Sequence, residues 1–173
     1  MLKLATGFVV DRSPGAPTTL PRVDQDETNW CWAACLQLLL QLILRNRLSQ
    51  CQVAELVLGQ NPGECCSGAE PCNFSLRPEE VSDALDDVGL AADFFPTVLS
   101  PRSLSLAVAA GPVAIVLTRT ASGHMLLAVR MSGLAIVDVL DPWLKVGSVD
   151  YQYLVDQHPL GHWSRTWSNV RAS

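Results

Sequence analysis

Residues 30–47 contain no Gly or Pro, and their dense apolar positions, with Leu38-Leu39-Leu40 at the centre, predict a helix. Arg45 and Arg47 at its end suit the negative pole of a helix carboxyl terminus. Ser49 with Gln52 three positions on is a capping-box signature, so a second helix starts there and stops at Gly59. Residues 60–73 are rich in Gly, Pro and Cys and read as loop. Pro78, with Glu79 and Glu80 behind it, opens a third helix that Gly89 closes, and Ser100-Pro101 opens a fourth that ends at Gly111. Beyond Gly111 the pattern changes to β-branched and apolar runs punctuated by Gly. These predict strands over residues 113–118, 125–131 and 134–140, with weaker candidates at 146–153 and 163–170. Helices followed by strands with hairpin-length connections predict an α+β chain with an antiparallel sheet. Residues 1–22, with the turn-rich Ser13-Pro14-Gly15-Ala16-Pro17, read as a lead-in. Residues 23–173 then form one domain, with a helical lobe over about 23–111 and a β lobe over about 112–173.

Composition narrows the classes. A chain of 173 residues with 49% hydrophobic and 17% charged content has enough apolar surface for a core and is not a disordered chain. Its net charge of −5 leaves no electrostatic footprint for nucleic acid. No apolar run approaches the ~18 residues of a membrane span, so no membrane insertion is expected. The first ten residues carry one base and a short apolar stretch, and Asp11 and Arg12 follow at once, which makes a poor secretory signal. The expected location is therefore the cytoplasm, or outside the cell by a signal-independent route.

Among the six cysteines, Cys31 stands at the start of the first helix between Trp30 and Trp32. The exposed N–H groups and positive dipole end there favour the thiolate, the reactive form of Cys. A nucleophilic thiol needs a base, and His124, after Gly123 at the mouth of a strand, is the candidate. His158 and His162 lie in a Pro/Gly-containing stretch and read as loop residues. Cys35, one turn after Cys31, reads as a buried structural thiol. If Ser132-Gly133 is a two-residue hairpin loop, Met131 faces Leu134 and His124 faces Asp141. Directly opposed residues hold their Cβ atoms ~4.5–5.5 Å apart, near enough for a carboxylate to orient an imidazole. Asp138 would then oppose Leu127 on the other face, out of the site. Cys51, Cys65, Cys66 and Cys72 admit three readings: two disulfides, with Cys51 and Cys72 each bonded to one of the vicinal pair; a zinc site with unusual spacing; or four reduced thiols.

The run Gln25-Asp26-Glu27-Thr28-Asn29-Trp30-Cys31-Trp32-Ala33-Ala34, with Gln six positions before a Cys that Trp follows, resembles the papain-like cysteine peptidases. The Trp-Cys-Trp-Ala-Ala form is more like the compact bacterial branch, which includes effector proteases and relatives of bacteriocin-processing peptidases. Gly111-Pro112-Val113 ahead of Gly123-His124, and Asp141-Pro142-Trp143, match the family's run into its His and its Asn/Asp followed by Trp. Asn29-Trp30 stands where papain has Gly-Ser/Ala, and His124 follows Cys31 by 93 positions (124 − 31), so the chain would be a trimmed version. The resemblance implies a papain-like fold and a catalytic set of Cys31 as nucleophile, His124 as base, Asp141 as orienter and Gln25 in the oxyanion hole. No cofactor and no metal are implied. The implied partners are a protein or peptide substrate and, since only 24 residues precede Gln25, an inhibitor, immunity protein or activator in place of a long propeptide. The same triad also serves deamidation, acyl transfer or isopeptide cleavage, and a catalytically silent binding module is the non-enzymatic alternative.

Overall fold

The computed structural model describes residues 2–3, 9–10, 24–68, 72–119, 123–145 and 147–173. The lead-in and secretory-signal readings of residues 1–22 lie outside the described residues, apart from the short antiparallel pair β1 (Leu2–Lys3) and β2 (Val9–Val10). Helix α1 (Cys31–Leu39) continues into a π-helical turn (Leu40–Leu44). Arg45, in the left-handed region at φ 56°, ends it short of the expected Arg47. α2 (Gln50–Leu58) starts on the expected capping box: Ser49 Oγ accepts from the Gln52 N–H, and Gln52 Oε1 accepts from the Ser49 N–H at 2.9 Å. A 3₁₀ turn (Pro78–Glu80) leads into α3 (Val81–Asp87), and α4 (Pro101–Ala110) starts where Ser100 Oγ accepts the Ser103 N–H.

The sheet contains β3 (Leu90–Phe95), β4 (Val113–Thr118), β5 (Gly123–Ser132), β6 (Ile136–Leu140), β7 (Ser148–Asp150) and β8 (His162–Ala172). It is antiparallel throughout, in the order β3-β8-β4-β5-β6-β7. Thus the fold is α+β, as the element pattern predicts. β3 is the strand that the pattern does not reveal. Leu90-Ala91-Ala92-Asp93 has weak strand propensity, and pairing supplies the order, with Asp93 against Ser168 and Phe94 against Trp167.

Helices cover both faces of the sheet. Trp32, Leu36 and Leu39 of α1 pack with Val53, Leu85, Val116, Met125 and Leu127 in one buried cluster. Leu104 of α4 and Leu154, in a π-helical turn (Tyr153–Gln157), pack with Ile115, Leu117, Leu126 and Val139 in the other. β4 and the first half of β5 are therefore buried on both sides, which is why they read as unbroken apolar runs rather than alternating ones.

The β5–β6 register differs from the expected one. Ser132 pairs with Ile136 and Met131 with Val137, so the loop is Gly133-Leu134-Ala135, with Gly133 at φ 62°, instead of Ser132-Gly133. Asp138 faces Arg130, not Leu127. The register then shifts between Ala128 and Arg130: Ala128 faces Val139 and Leu127 faces Leu140. Val129 is the extra residue of a bulge, and its effect is decisive for the site. Extending the turn-side register would set Asp141 opposite Leu127, on the face away from His124. The bulge sets it opposite Leu126, which shares His124's face.

Candidate active site

Cys31 is the first residue of α1, and the preceding Trp30 offers no side-chain cap, so the N–H groups of the first turn are not filled by one. The flanking indoles anchor this end. Trp30 Nε1 donates to the Cys72 carbonyl at 2.7 Å and Trp32 Nε1 to the Phe74 carbonyl at 2.8 Å, while Asn29 exchanges two hydrogen bonds with Asn73. The segment they grip is covalently tied. Cys51 bonds Cys66 and Cys65 bonds Cys72, leaving Cys31 and Cys35 free. These bridges overturn the zinc and reduced-thiol readings of the cluster. Buried Glu55 completes the staple, its Oε1 accepting the N–H groups of Gly63, Cys65 and Cys66 at 2.8, 3.2 and 3.3 Å.

β5 brings His124 to the same place. Gly123 before it is required by close approach: a Cβ there would lie 2.7 Å from Val116 Cγ1 and 3.2 Å from Pro78 Cγ. The next peptide fastens strand to helix, because the Met125 N–H points to Cys31 Sγ at 3.5 Å and Cys35 Sγ donates to the Met125 carbonyl at 3.4 Å. Cys31 and His124 are 7% and 8% exposed, so the pair is reachable only at its edge. His124 Nε2 lies 2.9 Å from Asp141 Oδ1, and the ring is near enough to Cys31 for the thiol to raise its basicity.

Asp141 is the most heavily bonded side chain of the group. Its Oδ1 accepts from His124 and from the Trp143 and Leu144 N–H groups at 2.8 and 3.0 Å, and its Oδ2 faces His158 Nε2 at 3.0 Å. Burial raises the cost of its charge, but the donors from His124, His158 and Leu144 outweigh it and hold the carboxyl well below its ordinary range. The same balance acts on His124. Burial disfavours the imidazolium, yet the hydrogen bond to Asp141, the neighbouring Cys31 thiol and the charges of both push the ring up to about 9. Cys35 moves the opposite way in reactivity: burial first, then the charges of Cys31 and Asp141, push its thiol well above the usual range.

Thus Cys31, His124 and Asp141 come together, although Asp141 lies diagonal to His124 and not directly opposite. Gln25 sits in the loop before α1, where its Nε2 donates to the Glu27 and Thr28 carbonyls at 2.8 and 2.7 Å and its buried Oε1 has no partner among the described residues. Asp138 lies elsewhere, paired with Arg130 and accepting from Ser148 Oγ at 2.5 Å. His162 is the exposed first residue of β8 instead of a loop residue. His158 departs furthest from expectation. It is buried against Asp141 just after the Tyr153–Gln157 turn, and nothing within its own Pro/Gly stretch signals a partner 17 positions away. Among the described residues, no group of His, Cys, Asp and Glu is arranged to hold a metal ion, and no helix is long and apolar enough to cross a membrane.

No protein-family model matches the chain, and no curated protein matches its sequence. Solved structures do. The peptidase domain of Streptococcus ComA, a bifunctional ABC transporter involved in quorum sensing, superposes with a TM-score of 0.61 at 13% identity, covering 87% of this chain and 97% of that domain. A double-glycine-motif protease from an AMS/PCAT transporter, solved with a leader peptide, gives 0.48 at 20% identity over 75% of this chain and 77% of that one. The helical amino-terminal half, the six-stranded antiparallel sheet and the match to the ComA domain identify the fold of this chain as that of the papain-like peptidases.

Proposed function

We propose that the chain is a papain-like cysteine peptidase, and the observation that carries this reading is the placement of Cys31, at the start of a helix, beside a His124 that is hydrogen-bonded to Asp141 in that fold. Cys31 gives its thiol proton to His124, and its sulfur attacks the scissile carbonyl carbon. The carbonyl π pair moves onto oxygen. The Cys31 backbone N–H, at the open first turn of α1, and the Gln25 amide receive that oxyanion, the amide turning from the Glu27 and Thr28 carbonyls it now serves. His124, which favours the imidazolium at neutral pH, protonates the leaving amine as the C–N bond breaks. It then takes a proton from the water that opens the thioester. Asp141 keeps the Nε2 edge of the ring engaged, so Nδ1 is the edge left for Cys31. The substrate is a protein or peptide segment, and the finer placement in the compact, effector-like bacterial branch belongs to the same proposal.

Labelling with an epoxide inhibitor of papain-like enzymes, comparing wild type with Cys31→Ala, tests the nucleophile. Mass spectrometry of protein substrates tests the reaction: new termini mean proteolysis. A +1 Da change at Gln without new termini would replace hydrolysis by deamidation, and no Cys31-dependent label would leave a binding module.

A further inference from the structure

Asp141 is gripped from two sides by imidazoles. His158, whose side chain is 2% exposed, sets its Nε2 3.0 Å from Oδ2, and its ring lies nearly parallel to His124 with centroids 5.9 Å apart. The other edge of His158 is equally committed, since Nδ1 accepts the Leu160 N–H at 3.2 Å. A nitrogen that accepts carries no proton, so the ring is the Nε2–H tautomer and donates to Asp141. The loop that presents it is fastened in place. Gly161, at φ +139°, lies against the end of β4, where a Cβ would come within 2.6 Å of the Thr118 carbonyl carbon, and Arg119 Nη1 reaches the Pro159 carbonyl at 3.4 Å. Tyr153 closes the remaining side, its ring edge-on to His158 at 5.5 Å.

We propose that His158 is a positioning residue: by donating Nε2–H to Asp141 Oδ2 it keeps that carboxylate ionised and turned so that Oδ1 holds His124 toward Cys31. The inference rests on the peptidase reading for its purpose, although the contact it invokes is independent of the substrate. The physical reason is the cost of a buried carboxylate oxygen without a donor. Remove the donor, and water entry, rotation or proton uptake at Asp141 relieves the cost; each weakens its hold on the His124 imidazolium. The titratable and charged groups around His158 are Asp141, His124, Tyr153 and Arg119, with the Cys31 and Cys35 thiols beyond the carboxylate.

Imidazole ¹⁵N NMR titration of the whole chain, with iodoacetamide alkylation of Cys31 followed in parallel, tests this. In wild type, His158 should show a protonated Nε2 and a bare Nδ1 at neutral pH; a protonated Nδ1 would overturn the proposal without any variant. His158→Phe, which keeps ring bulk and removes the donor, should move the His124 midpoint down from about 9 toward 6.5. It should also slow Cys31 alkylation at pH 7 by roughly 10–100-fold, the range lost when partners behind metal-bound histidines are removed. His158→Gln, which restores an N–H, should recover most of both. An unmoved His124 midpoint in His158→Phe, or a Gln variant no better than Phe, would refute the positioning role. His124→Ala separates the two readings: if it leaves Cys31 alkylation unchanged, the peptidase site itself is wrong, whereas an effect of His124→Ala without one of His158→Phe condemns His158 alone.

Discussion

Asp141→Ala removes the acceptor of four N–H groups from a residue that is 2% exposed, and the consequences differ in size. The gap between 6.5 and about 9 at His124 corresponds to ~3 kcal/mol in favour of the imidazolium. Asp141 supplies the largest favourable part, after burial has acted against it. Losing ~3 kcal/mol of imidazolium stabilisation costs ~10²-fold in rate, the low end of the ~10²–10⁴-fold expected for a triad acid. The stability effect has a definite sign. A folded-state value above the unfolded one means that the native chain binds more protons between the two, so His124 stabilises fully below 6.5 and loses that contribution as pH rises to about 9. Asp141 is depressed, so its own contribution is present above the ordinary carboxyl range and is lost only in acid. Wild type should therefore lose up to ~3 kcal/mol across this window, roughly 6–12 °C in melting temperature for a chain of this size. Asp141→Ala should lack most of that slope. Asp141→Asn is the companion, since its side-chain oxygen still accepts from the Trp143 and Leu144 N–H groups and spares the turn. Peptide hydrolysis at neutral pH and melting curves at half-unit steps from pH 6 to 9.5 check both effects. Activity within tenfold of wild type, or an unchanged pH slope in both variants, would refute the reasoning.

Asp138→Ala should leave peptide cleavage nearly intact while lowering stability by ~1–3 kcal/mol, because buried Asp138 accepts from Arg130 and Ser148 away from the site; thermal melts beside an activity assay check it. Denatured, unreduced protein should show two free thiols, Cys31 and Cys35, and four on full reduction of either bridge alone. Each bridge should contribute ~2–4 kcal/mol, so a reductant lowers the melting temperature, and six free thiols without reductant would contradict the staple. Under limiting iodoacetamide near neutral pH, Cys31 should alkylate well ahead of Cys35, whose thiol is buried and pushed up; peptide mapping reads the ratio, and preferential modification of Cys35 would displace Cys31 as nucleophile.

What the sequence alone determined is what neighbours along the chain decide. Ser49 with Gln52, Ser100 before Pro101, and Gly59, Gly89 and Gly111 mark helix ends because caps and stops act within a turn. Residues 113–118 were legible as a strand to the residue, because burial on both faces demands a continuous apolar run. Cys31 and His124 were legible as candidates from their places at a helix start and a strand mouth. Contacts between distant segments were not. β3 owes its order to β8, which follows it by more than sixty residues. The partner of each vicinal cysteine depends on how the 62–68 turn folds around Glu55. Asp141 does lie beside His124, but not through the expected register: the hairpin has a different loop, and the Val129 bulge sets the face. His158 was the largest omission. Its stretch carries turn chemistry, and only the return of the chain through the Tyr153–Gln157 turn, with Gly161 pressed against Thr118, buries the ring beside Asp141. Local propensity fixes elements within a few residues, whereas register, bridge pairing and the second imidazole are set by packing between segments that no short window contains.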